Sequence, residues 1–167
     1  MAYDEHFKLA DDYLVHLDSM FDAVDDDFIK GRYLGFVLIS AVTVYELAIK
    51  EIFCDFSRKK HIRFGQYVEN SFEKLNGRIG LEDLKNRSKK FGEQYRLKFQ
   101  RKLDSREQQN LRDGRGSIRS AYGNMLTWRN SFVHSGQSPR TTNYGEIKNS
   151  YESGKLVILS LAEAMTR

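Results

Sequence analysis

The chain is predicted to be all-α, a single-domain, up-and-down bundle of about five helices. Three observations carry that expectation. Only one proline occurs in 167 residues, so helices are almost nowhere forced to stop. Apolar residues recur at steps of three and four through several long segments, which places them on one face of a helix. No segment alternates apolar and polar residues between turn signals, as a half-buried strand does. The length fits one domain, residues 1–167. It suffices to bury about two-thirds of the unfolded surface, so neither disulfide nor metal is needed for folding.

The first helix is expected over about residues 4–27, where Phe7, Ala10, Leu14, Leu17, Phe21 and Val24 trace one stripe. Asp25-Asp26-Asp27 closes it as a solvated helix end, because three consecutive helical side chains diverge and do not gather round a cation. After Gly31 a second helix, about 32–58, is apolar nearly all round, from Tyr33, Leu34 and Phe36 through Val44 and Tyr45 to Ile52 and Phe53. A helix without a polar face belongs at the centre of a bundle. Its exception is Glu46, a carboxylate that must be paired if buried. The partner is either Lys50, one turn on, or Arg129 or His134 of a facing helix.

Residues 61–116 are expected to form a basic insertion. A short helix near Phe64–Leu75 is broken around Asn76-Gly77 and Gly80, and a longer helical region then carries Leu84, Phe91, Tyr95, Phe99 and Leu103. The glycine-punctuated turn Arg112-Asp113-Gly114-Arg115-Gly116-Ser117 lacks the Gly-Lys-Ser/Thr ending of a phosphate-binding loop, which sets aside a nucleoside triphosphatase. A helix from Ser117 to about Gly136 follows. The last helix, about Gly145 to Ala164, carries Ile147, Tyr151, Leu156, Leu159 and Leu161.

The net charge of +4 is unevenly spread. Residues 1–27 hold nine acids and one lysine, whereas residues 58–119 hold 18 Lys or Arg against eight acids. A basic middle of this kind is either the footprint of a polyanion binder or a helical surface neutralised by the acidic first helix. Within and beside it Lys89, Lys90, Arg96, Lys98, Arg101, Lys102, Arg115 and Arg119 are the candidates for RNA-backbone contacts. The interleaved aromatics are of the kind that stack on unpaired bases, yet their steps of four and seven fit a core-facing helix better.

Other chemistries find little support. His6, His16, His61 and His134 are scattered without ligand spacing, so no metal and no other cofactor is expected. No Gly-x-Ser-x-Gly elbow is present. The lone Cys54 lies in an apolar run and reads as a small buried hydrophobe. The acidic Met1–His6 segment is not that of a signal peptide. The longest apolar stretch, Leu34 to Tyr45, is too short to span a bilayer. No membrane association and a cytoplasmic location are expected.

One segment does carry a chemical signal: Trp128-Arg129-Asn130-Ser131-Phe132-Val133-His134-Ser135-Gly136. It sits at the end of an amphipathic helix whose apolar positions are Ile118, Tyr122, Met125, Phe132 and Val133, with Ser117 as N-cap and Gly136 and Pro139 as the stop. Arginine is always charged and matches phosphate geometry, and histidine gives and takes protons near neutral pH. Together they can cleave a phosphodiester without a metal. On an ideal helix a five-residue step turns about 500°, which leaves Arg129 and His134 roughly 140° apart. They converge on one phosphate only if the last turn loosens, near Ser135-Gly136, or if a second chain supplies the partner group.

This arrangement resembles the HEPN superfamily, whose ribonuclease members carry an Arg-x4–6-His motif with a polar residue such as Asn after the arginine. Here the motif reads Arg129, Asn130, then Ser131-Phe132-Val133, then His134. The resemblance is close on the motif helix and one of pattern elsewhere, and it extends to the RiboL-PSP branch. It implies a metal-independent endoribonuclease in which the substrate's own 2′-hydroxyl is the nucleophile. His134 would move protons, Arg129 would offset phosphate charge, and Asn130 would contact the phosphate or fix the imidazole. It further implies RNA as substrate, a homodimer with a composite cleft, and a toxin or anti-phage role held in check by an antitoxin or other regulatory partner. Trp128 and Phe132 would pack either at that interface or in the monomer core. The alternative is a non-catalytic HEPN-like module that binds nucleotide or RNA, or only scaffolds a complex.

Overall fold

The structure is a computed structural model, in which residues 2–72, 79–136 and 142–166 are described. Among these residues all regular structure is helical: α1 (Phe7–Met20), α2 (Asp27–Arg58), α3 (Ile62–Ser71), α4 (Leu81–Lys90), α5 (Glu93–Arg112), α6 (Ile118–Ser135) and α7 (Tyr144–Ala164), with short 3-10 turns at Ala2–His6 and Phe21–Ala23. The all-α expectation holds, with seven α-helices among the described residues rather than about five. The 32-residue α2 is the axis of the bundle, and α1, α3, α6 and α7 pack against it. Its apolar run, including Val37, Leu38, Ala41, Tyr45, Ile49 and Phe53, is buried on nearly every side.

The boundary between the first two helices differs from the sequence reading. Phe7, Ala10, Leu14 and Leu17 are buried as a stripe, but α1 ends at Met20 and the chain is extended at Val24. Asp26 then starts the next helix instead of ending the previous one. Its carboxylate accepts from the Phe28 and Ile29 N–H groups at 2.8 and 3.1 Å, satisfying two of the donors that a helix start leaves open. Gly31 therefore lies inside α2, where a glycine costs only about 1 kcal/mol.

The basic insertion is three helices where the sequence suggested one and a longer region. At the start of α3, the His61 Nδ1 accepts from the Arg63 N–H at 3.2 Å. At the start of α4, the Gly80 N–H donates to Asp83 at 3.2 Å. Gly92 separates α4 from α5 with φ of 135°, a conformation that glycine alone takes easily. Leu75, Asn76 and Gly77, at the expected break, lie outside the described residues. Phe99 and Leu103 are fully buried, and Phe91 and Tyr95 pack against the core. The aromatics of α5 thus serve the core, as their spacing indicated.

Three tyrosines lock α2, α6 and α7 together. The Tyr45 ring stacks between Tyr122 and Tyr151, with centroids 5.5 and 5.7 Å away. Its hydroxyl donates to the Tyr151 carbonyl at 2.6 Å, and that of Tyr122 donates to the Ile79 carbonyl at 2.7 Å. A Cβ on Gly154 would lie 2.2 Å from the Tyr45 hydroxyl, which is fully buried and held by its hydrogen bond. Gly154→Ala is therefore expected to destabilise the fold by about 1–3 kcal/mol despite alanine's better helix propensity. That should lower the melting temperature by at least about 2 °C; an unchanged value would contradict this packing.

Candidate active site at the end of the motif helix

The motif helix α6 is built as its sequence indicated. The Ser117 hydroxyl accepts from the Ser120 N–H at 3.1 Å and donates to Glu107 at 2.6 Å. Ile118, Tyr122 and Met125 are fully buried. Gly136, with φ of 64°, ends the helix, and its N–H donates to the Phe132 carbonyl at 2.8 Å. Pro139 lies outside the described residues. Val133, expected as an apolar contact, is 50% exposed. One residue on a helix turns about 100°, and Phe132 takes the position that faces α2, so Val133 is carried outward.

α6 runs antiparallel to α2, with Tyr45 against Tyr122 and Gly35 against Phe132. An ideal Cβ on Gly35 would fall 2.0 Å from the Phe132 ring, so the ring sits in the gap left by the missing side chain. Beyond it the Arg32 guanidinium donates to the Gly136 carbonyl at 3.4 Å and lies 4.8 Å from the centroid of the Phe28 ring. A cation at a helix C-terminus offsets the partial negative charge of the last carbonyls. That end of α6 would otherwise repel a phosphate.

Arg129 is half-buried and turned towards α2, where its guanidinium lies 3.8 Å from the Glu46 carboxylate. Of the partners left open for Glu46, the structure shows this one. The guanidinium also donates to the Asn130 side chain at 3.1 Å. Burial, and after it the Glu46 charge, hold the Tyr122 phenol well above its ordinary pKa. His134 is exposed, and no described residue hydrogen-bonds its ring.

α6 stays α-helical through Ser135, so the loosened last turn is not found among the described residues. The regular five-residue step leaves Arg129 and His134 about 140° apart and about 7.5 Å along the axis. Glu46→Gln is expected to lower any activity that depends on Arg129 by about ten-fold. A charge-assisted contact is roughly twice as strong as a neutral one, and misplacement of a catalytic group is costly. The melting temperature should barely change; unchanged activity would show that Glu46 does not position Arg129.

The basic candidates do not gather at this end. Arg119 pairs with Asp104, and Lys102 lies 3.3 Å from Glu163, which Arg106 also holds. Arg96 pairs with Glu93, the Arg101 Nε donates to the Leu97 carbonyl at 3.4 Å, and Lys98 lies 5.7 Å from the Tyr95 ring centroid. Lys89, Lys90 and Arg115 are exposed. Arg119 stands fifteen residues before His134 on α6, about 22 Å along the axis. Arg32 and Gly35 were not singled out in the sequence. A glycine inside a strongly apolar helix was the available signal for Gly35; nothing local marked Arg32.

The helical fold agrees with the comparison to known families. The chain matches the RiboL-PSP-HEPN family over residues 4–167 and belongs to it. That membership indicates a nuclease-like or RNA-related role. No curated protein and no solved structure matches the chain. Among the described residues no helix is long and apolar enough to cross a membrane.

Proposed function

We propose that the protein is a metal-independent endoribonuclease whose centre is Arg129 and His134, completed across two copies of the chain. The observation that carries this reading is the placement of the motif. Arg129 is anchored by Glu46 and Asn130, while His134 stands exposed at the end of the same helix. The apolar surface near it also favours a second copy. Phe28, whose ring lies against Arg32, is 68% exposed, and Val133, next to Phe132, is 50% exposed. Exposed apolar side chains collected in one region mark interaction sites, and a two-fold interface would oppose the two motif helices.

In this reading the substrate 2′-hydroxyl attacks the adjacent phosphorus, forming the P–O2′ bond and breaking P–O5′. His134 of one protomer takes the 2′-hydroxyl proton, and solvent returns a proton to the leaving 5′-oxygen. Arg129 faces the charge that builds on the non-bridging oxygens. Arg32 adds a second cation at the helix end. The products are a 2′,3′-cyclic phosphate and a 5′-hydroxyl. RNA is the substrate, and DNA, which lacks the nucleophile, survives. A cytoplasmic toxin or anti-phage effector restrained by a partner protein would fit such an activity.

One observation favours a non-catalytic, RNA-binding or scaffolding role instead: Arg129 already has a carboxylate partner. The test is cleavage of total RNA in EDTA. Wild type should cleave, and His134→Ala should be slower by roughly 10²–10⁴-fold, the usual share of general acid–base catalysis. Equal rates for the two proteins would remove His134 from the mechanism.

A further inference from the structure

The end of α2 away from the motif carries a surface of one charge. α2 runs about 40 Å from Arg32, which holds the Gly136 carbonyl, to Arg58. Past Arg58 the chain exposes Lys59 and Lys60, and then Arg63 on the first turn of α3. Lys98, Arg101 and Lys102 are exposed on α5. Ring contacts join the two groups. The Lys60 ammonium lies 5.3 Å from the Phe56 centroid, Phe56 meets Tyr95 edge-on at 4.9 Å, and the Lys98 ammonium lies 5.7 Å from the Tyr95 centroid. Laid end to end, these steps put the two ammonium groups at most about 16 Å apart.

The acids in this region are engaged elsewhere. No exposed residue of 58–64 or of 94–112 is acidic. On α5, Asp104 and Glu107 turn towards α6, where Asp104 meets Arg119 and Glu107 accepts from the Ser117 hydroxyl and the Arg119 N–H. Arg58 holds Glu51, Asp55 and Glu69. Glu163, beside Lys102, is also held by Arg106. Among the described residues no carboxylate pairs with Lys59, Lys60, Arg63, Lys98 or Arg101. A run of exposed cations of this kind is the footprint of a polyanion binder.

An exposed ring says which polyanion. Tyr67 stands four residues after Arg63, so the two are neighbours on α3. Its ring is 70% exposed, at the mouth of a cavity of about 260 Å³ between α3 and α4. Cations that track a backbone beside a ring that stacks a base are what a single strand requires. A lipid surface requires an apolar helix face turned outwards, whereas α5 turns Phe99 and Leu103 into the core. An acidic peptide would leave the ring unused.

We propose that a single-stranded nucleic acid lies along this surface, its phosphates at Lys60, Arg63, Lys98 and Arg101 and one base on Tyr67. Binding here is separate from the chemistry assigned to His134 and does not depend on cleavage.

The experiment titrates a labelled single-stranded oligonucleotide with 2′-O-methyl sugars, which transphosphorylation cannot cut, at several salt concentrations. It compares wild type, Tyr67→Ala, the triple variant Lys60→Ala/Lys98→Ala/Arg101→Ala, and Lys148→Ala, which removes a cation beside Asp18 on another face. Thermal melting checks that each variant folds. The triple variant should lower the slope of log affinity against log salt by about 2, because each phosphate contact on a single strand contributes about 0.7. Tyr67→Ala should weaken binding about ten-fold with the slope unchanged. Lys148→Ala should bind as wild type does. The proposal is overturned if wild type does not bind the probe, if the triple variant keeps the wild-type slope, or if Tyr67→Ala binds as wild type does. It is equally overturned if Lys148→Ala lowers the slope as much per charge, since net charge alone would then explain binding, or if anionic vesicles or an acidic peptide bind in place of the oligonucleotide. Because the probe resists cleavage, none of these results bears on His134.

Discussion

Mixing Arg129→Ala protein with His134→Ala protein should restore RNA cleavage that neither has alone. The prediction follows from helix geometry. α6 is regular through Ser135, so Arg129 and His134 of one chain face directions about 140° apart, and one phosphate is not reached by both. Across a two-fold axis the Arg129 of one protomer would meet the His134 of the other. In the mixed dimer one such pair is intact, whereas each parent dimer lacks either every arginine or every histidine of the motif. Each single variant should be down by roughly 10²–10⁴-fold, and the mixture should recover most of that loss. Subunits must be exchanged or co-expressed, with dimers confirmed by size-exclusion chromatography. Absence of recovery in confirmed mixed dimers would place the centre within one chain.

The second large effect concerns Gly35, which touches no substrate in this account. The Phe132 ring fills the space where a Gly35 side chain would stand, 2.0 Å from an ideal Cβ. Gly35→Val must therefore expel the ring, and overpacking of this kind costs about 1–3 kcal/mol. Phe132 is half-buried and two residues before His134, so the expelled ring would shift the helix end that carries the histidine. A displacement of about 1 Å at a catalytic group is enough to cost about 10²-fold in rate. Cleavage should fall by that order while most of the protein remains folded. A double variant, Gly35→Val with Phe132→Ala, should regain stability beyond the sum of the single effects, because the two residues share one space. Additive losses would show that the ring is not seated there.

Much of this was legible because the signals were local. The α6 cap at Ser117, the stop at Gly136 and the buried Ile118–Tyr122–Met125 face are each written within a few residues. The centrality of α2 followed from its all-round apolar run. The α1–α2 boundary was missed because an acidic run and a later glycine read as a helix end; the capping geometry of Asp26 reveals itself only once Phe28 and Ile29 are seen to donate to it. The cavity lined by α3 and α4 was hidden for a different reason. Basic–aromatic interleaving drew attention to Phe91, between α4 and α5, and to Tyr95 and Phe99 on α5, which pack on or within the core. The exposed rings, Phe64 and Tyr67, belong to α3, and only tertiary packing sets them beside Arg87 and Lys90. The same holds for Glu46, whose partner on a facing helix no local spacing distinguishes from Lys50.

The most direct measurement is the chemical identity of the ends left when wild-type protein cuts a defined RNA in EDTA, read by mass spectrometry. Attack by the 2′-hydroxyl predicts a 2′,3′-cyclic phosphate on one fragment and a 5′-hydroxyl on the other, and no cut at a position carrying a 2′-deoxy sugar. A 3′-hydroxyl with a 5′-phosphate, or cutting at the deoxy position, would mean that water is the nucleophile and would contradict the mechanism assigned to Arg129 and His134.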